Sequence, residues 1–182
     1  MMRWYWLLVL ASLLSACGLP KRVAIEEFNA QHWSLSAKMA LRYDQQRLSA
    51  TLKWQHSPTQ QQVYLLDPLG RIIAELTQTQ TQATLTLEDG QRVHAQDLTQ
   101  LMQQQLGWAL PFDSLSYWAR GKPAPDPEAN IKVQQGVASQ TFTQHGWSIE
   151  TFRPDSESLP NKLVLQHPQL SLKLVRIQWQ TQ

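Results

Sequence analysis

The chain has 182 residues, with 16 Lys+Arg against 14 Asp+Glu, a length that suits one domain and is long enough to bury a core. A net charge of +2, with basic residues scattered along the sequence, excludes a nucleic-acid footprint, and a single cysteine excludes an internal disulfide framework and a Cys-rich metal site. Charged residues make up only 16% of the chain, against roughly 25% in ordinary soluble domains, and glutamine fills the gap in runs at 60–62 and 103–105.

Arg3 forms a short positive start, and Trp4 to Leu14 is an almost unbroken apolar stretch. At about 11 residues it falls short of the roughly 20 that cross a bilayer as a helix, so it reads as an export signal. It ends in Leu14-Ser15-Ala16-Cys17, small residues before the only cysteine, which resembles the lipobox of bacterial lipoproteins. That resemblance implies a signal peptide over 1–16 and lipid attachment at Cys17. An acylated tether follows over 17–23, then a single domain over 24–182. More than one acyl chain gives stable anchoring where one is marginal. Gly18, where inner-membrane lipoproteins carry Asp, implies the outer membrane of a Gram-negative bacterium, facing the periplasm. The alternative is a general secretory signal with an incidental Cys.

Ile25 to Gln31 has the spacing of a short helix, with Ile25 and Phe28 on one face. Trp33 to Tyr43 then alternates apolar and polar residues with period two, and Leu48 to Trp54 repeats the pattern, so both read as strands. Further strands are expected at 62–66, 72–76, 83–87 and 92–95, with Asp89-Gly90 as a hairpin turn between the last two. Leu98, Leu101, Met102 and Leu106 follow helical spacing behind Asp97 as N-cap, and Phe112 to Ala119 is a second short helix with Asp113 as its cap. Residues 121–127, rich in proline, read as a stiff surface loop. Strands return at 138–143, 147–153, 162–166 and 170–179. About ten such strands with one helical excursion predict a mostly β protein: an antiparallel, partly open β-barrel with short helices over one mouth.

No catalytic constellation stands out. His32, His56, His94, His145 and His167 lack metal-ligand spacing, no G-x-S-x-G elbow is present, and neither a metal nor another cofactor is expected. Six Trp remain in patterned segments, either as core or as walls of an acyl-chain cavity, with Leu52, Trp54, Trp118 and Trp147 as candidates. The turn Asp67-Pro68-Leu69-Gly70 fits a type I turn, yet its tip position holds leucine, which would face water.

Several segments together resemble the LolB family of outer-membrane lipoproteins. They are Trp33 with Leu35 to Leu41, Ala50 to Gln55, Leu66 to Gly70, Trp108 to Pro111, Leu115 to Gly121 and Gln144 to Trp147. The resemblance implies an incomplete antiparallel β-barrel with a hydrophobic cavity covered by short helices, similar to that of the periplasmic carrier LolA. It implies a non-enzymatic monomer that receives lipoproteins from LolA by their acyl chains and inserts them into the outer membrane without nucleotide hydrolysis. It also implies that Leu69, in the protruding Pro-Leu-Gly loop, promotes membrane insertion. A scaffolding envelope lipoprotein, or a lipoprotein hydrolase, stays open as the alternative.

Overall fold

A computed structural model describes residues 24–25, 28–126, 129–133 and 139–181; the signal, Cys17 and the tether lie outside the described residues. Eleven strands and two helices follow one another: β1 (Trp33–Tyr43), β2 (Gln46–His56), β3 (Gln60–Leu66), β4 (Ile72–Thr79), β5 (Ala83–Leu87), β6 (Arg92–Ala95), α1 (Leu98–Leu106), α2 (Phe112–Ala119), β7 (Asn130–Val133), β8 (Ser139–Gln144), β9 (Trp147–Phe152), β10 (Lys162–His167) and β11 (Leu170–Thr181).

All eleven join one antiparallel sheet in the order β6-β5-β4-β3-β2-β1-β11-β10-β9-β8-β7, so the first and last strands pair at its centre. The period-two pattern is the cause. On β1 the odd positions Trp33, Leu35, Ala37, Met39 and Leu41 are buried, while Lys38, Ala40 and Arg42 are exposed. A one-residue slip would turn every one of them outward, which fixes the register of Trp33 on His56 and of Tyr43 on Gln46. A bulge opposite Ala37, with Arg176 at φ 54°, bends β11 at mid-length.

The sheet curls around a core but does not close, since β6 pairs only with β5 and β7 only with β8. The link between these two edges carries both helices. α1 packs on β4, β5 and β6, and α2 reaches β9 on the other side. Asp97 caps α1 by accepting from the Gln100 N–H at 2.7 Å, and Gly107, at φ 77°, ends it by donating to the Gln103 carbonyl.

Four local expectations are corrected. The described part of the helix expected over Ile25 to Gln31 is not helical, and Ala24 just before it forms a β-bridge with Ser158. The N-cap of α2 is Pro111, with no side-chain bond, and Asp113 stands inside its first turn. Strand β7 was not expected, because four residues behind a proline-rich loop carry too little pattern and are recruited by pairing with β8. That loop is also less superficial than its composition implies: Gly121 and Ala124 are buried, with the Ala124 N–H and C=O both bonded at 2.9 Å to the Gln144 side chain.

Candidate functional site

The concave face of β1 to β5 and β11, together with α1 and the start of α2, encloses a cavity of about 210 Å³. Its walls are aliphatic and aromatic, and the one polar lining side chain is Gln105. The strands run across the molecule between two ends, and the cavity differs at each. At one end Trp54, Val63, Leu76, Leu85 and Phe112 are buried. There Trp33 packs edge-on against Trp54 and Trp179, and Phe112 of α2 packs edge-on against Trp54. At the other end Leu48, Leu65, Ile73, Leu87 and Trp108 are only partly buried, so the cavity opens there. The turns β1–β2, β3–β4 and β5–β6 ring that mouth, and the Tyr43 hydroxyl closes one corner by donating to the Gly107 carbonyl at 3.3 Å.

Leu69 stands at this lip, on the β3–β4 turn, 83% exposed, and Ile72 below it is 49% exposed; they are the two exposed large apolar side chains among the described residues. The turn that carries Leu69 is held from within. The Asp67 carboxylate accepts from the Leu69 and Arg71 N–H groups at 2.9 Å and from Arg71 Nε at 2.7 Å, while the Gly70 N–H donates to the Asp67 carbonyl at 3.0 Å. The Arg71 N–H first, then the Arg71 side chain and the Leu69 N–H, hold the Asp67 carboxyl below its ordinary pKa. Gly70 sits at φ 86°, where a side chain would be strained. Arg71 also reaches Glu88 of the neighbouring turn at 3.7 Å. Leu69 is thus presented to water by a turn braced on both sides.

The other expected residues divide. Leu52 and Trp54 line the cavity. Trp118 and Trp147 do not line it, because they pack against each other in the other half of the interior, with ring centroids 6.3 Å apart. The Trp118 indole N–H is committed there to Gln144 Oε1 at 2.7 Å, and the turn His145-Gly146, with φ 52° and 77°, places Gln144 beside Trp147. The sequence reading missed Trp108 and Gln105 at the mouth. Gly107 as a helix stop was the signal that a chain reversal would bring Trp108 back over the sheet. His56 lies at the closed end, stacked on Trp33 with centroids 5.0 Å apart. Burial, then the positive charge of Arg120, pushes its imidazole below the ordinary pKa of 6.5.

No helix among the described residues is long and apolar enough to cross a membrane, and no cluster of His, Cys, Asp or Glu among them could hold a metal.

Comparison with known proteins identifies the family. A family model described as outer membrane lipoprotein LolB matches residues 31–179. The outer-membrane lipoprotein LolB of Chromohalobacter salexigens is 37% identical over 151 residues, 81% of this chain and 70% of that protein. Its counterpart in Cellvibrio japonicus is 34% identical over 200 residues, 97% of this chain and 98% of that protein. That of Chromobacterium violaceum is 32% identical over 187 residues, 99% of this chain and all of that protein. The matched region contains both the cavity and the Leu69 turn, and the chain belongs to the LolB family of outer-membrane lipoproteins.

Proposed function

We propose that the protein is anchored through Cys17 in the outer membrane, takes lipoproteins from the periplasmic carrier LolA into its cavity, and passes them into the bilayer with Leu69 as the inserting side chain. The supporting observation is the juxtaposition of an apolar cavity of about 210 Å³ with an 83% exposed leucine at its lip. Exposing one acyl chain of about sixteen carbons to water costs on the order of 12 kcal/mol at about 0.8 kcal/mol per CH₂. A carrier therefore hides the chain, and a second apolar cavity meeting the first mouth to mouth spares it that exposure. The cavity exceeds the roughly 150 Å³ of a dry engineered cavity that takes up benzene, yet lies below the roughly 300 Å³ of ordinary ligand pockets. Loading a whole chain therefore requires α1 and the Trp108 segment to move away from the strands they cover. Direction needs no nucleotide: each 1.4 kcal/mol of preference is about tenfold, and the bilayer is the deepest sink.

A transfer assay with loaded carrier, this protein and liposomes tests the reading. Leu69→Glu lies outside the core and is expected to change stability by no more than about 0.5 kcal/mol. A carboxylate there must stay hydrated or be neutralised, so the variant accepts cargo but delivers it slowly, and cargo accumulates on it. Delivery at the wild-type rate overturns the role of Leu69. A cavity variant, Leu52→Glu, is expected to lose acceptance itself, with circular dichroism reporting whether it has folded.

A further inference from the structure

Basic residues that are scattered in the sequence are gathered by the fold. β1, β2 and β11 contain no Asp or Glu, and on their convex face they present Lys38, Arg42, Arg47, Lys53 and Lys173, all exposed. The register makes this one patch: Lys38 stands opposite Thr51, Lys53 opposite Ser36, and Lys173 opposite Ala40. Arg42 stands directly opposite Arg47, an arrangement that costs stability unless a counter-charge is supplied. Among the described residues no ion pair neutralises any of the five; the Lys38 ammonium donates at 2.8 Å to the Thr51 hydroxyl. Small side chains at Ala40 and Ser49 leave a hollow of about 440 Å³ between Lys38 and Lys173. Its far wall is Pro68, the residue before Leu69. The β3–β4 turn therefore leans over the convex face: Leu66, just before it, opposes Thr51 and is buried without belonging to the main core.

We propose that this convex face is a seat for the head groups of anionic phospholipids, with a lipid phosphate in the hollow between Lys38 and Lys173 while Leu69 enters the acyl region beside it. The inference deepens the reading of Leu69 as an inserting residue and rests on it for the choice of occupant. Charge complementarity asks for an anion, and continuity with the exposed Leu69 and Ile72 asks for one that has apolar chains attached. Each cation held against an anionic bilayer strengthens the contact about fivefold, and the effect fades within a Debye length of about 8 Å in physiological salt. Seated this way the protein keeps the concave face and its helices clear of the bilayer, free to meet a carrier.

Lysine footprinting of the full acylated chain tests this. The chain is reconstituted in vesicles of phosphatidylcholine alone or mixed with phosphatidylglycerol, and acetylation is read by mass spectrometry. Lys38, Lys53 and Lys173 are expected to label several-fold more slowly in the mixed vesicles, with protection lost in high salt, while the exposed Lys122 labels equally in both. Equal labelling of Lys38 and Lys173 in the two vesicle types overturns the proposal. So does equal protection in phosphatidylcholine vesicles by inorganic phosphate alone, or protection that appears only when an acidic carrier protein is added. The Leu69→Glu transfer assay separates the two readings. Slow delivery by that variant without lysine protection removes only the head-group seat; protection with wild-type delivery removes only the insertion role.

Discussion

Both halves of the sheet bury apolar side chains, and they arrive at opposite results. Phe142, Trp147, Ile149, Leu163 and Leu165 of β8, β9 and β10, with Trp118 of α2, fill the interior solidly. Polar atoms trapped there are matched: Gln144 takes the Trp118 N–H at 2.7 Å and brackets Ala124, and the Trp179 N–H finds the Pro160 carbonyl at 2.8 Å. On β2 to β5, under α1, the walls are mainly leucine, with Trp54, Val63, Ile73 and Ala74, and they leave a void with one amide at its rim. Branched aliphatic side chains on a curved sheet leave room that an indole would fill. One half is packed solid, and the other keeps an open apolar space.

Removing the clamp of the solid half gives the largest effect. Trp118→Ala is expected to cost about 3–5 kcal/mol, the range for deleting a buried large aromatic. Gln144→Leu keeps most of the volume but strands the Trp118 N–H and both Ala124 groups, at about 1–3 kcal/mol for a buried unsatisfied group. Urea denaturation measures both. If either variant melts with the wild type, the two halves do not differ in the way described.

Adding volume sharpens the contrast with smaller energies. Ala119 in α2 is fully buried in the packed half, so Ala119→Leu overpacks it and is expected to cost about 1–3 kcal/mol. Ala74 on β4 faces the void, so Ala74→Leu is expected to be neutral or to stabilise by about 0.5–2 kcal/mol. The same variant should weaken uptake of a fluorescent fatty acid. Destabilisation by Ala74→Leu equal to that of Ala119→Leu would show that no usable space exists on that side.

Much of this was legible from residues alone, and the gaps have physical causes. Alternation along Trp33–Tyr43 fixes which face is buried, and Asp97 with the apolar spacing through Leu106 marks the first helix. The leucine at the tip of Asp67-Pro68-Leu69-Gly70 announces its own exposure, because a turn tip points away from its sheet. Which half of the sheet stays hollow was not legible. Trp54 and Trp118 look alike in sequence, but only the fold shows that the second spends its N–H on Gln144, 26 residues away. The convex basic patch was hidden for the same reason: Lys38 and Lys173 become neighbours only because β1 pairs with β11.

The smallest expected effect tests the seam between the halves, where His56 of β2 meets Trp33 and the end of α2. His56 is partly buried, with Arg120 the larger charged influence, His32 adding to it, and Asp113 and the Gln61 side chain opposing them. The balance holds its pKa in the folded protein below 6.5, the value for the unfolded chain. The sign follows: as pH falls through 6.5 the unfolded chain takes up a proton that the fold resists, so stability is full above that pH and declines below it. His56→Phe keeps a ring stacked on Trp33 and removes the titration. The difference between wild-type and variant denaturation midpoints should therefore be constant above about pH 6.5 and drift in favour of the variant as the solution is acidified. A difference that does not change with pH would mean that His56 is as well hydrated in the fold as in the unfolded chain, and the closed end of the cavity would then be open to water.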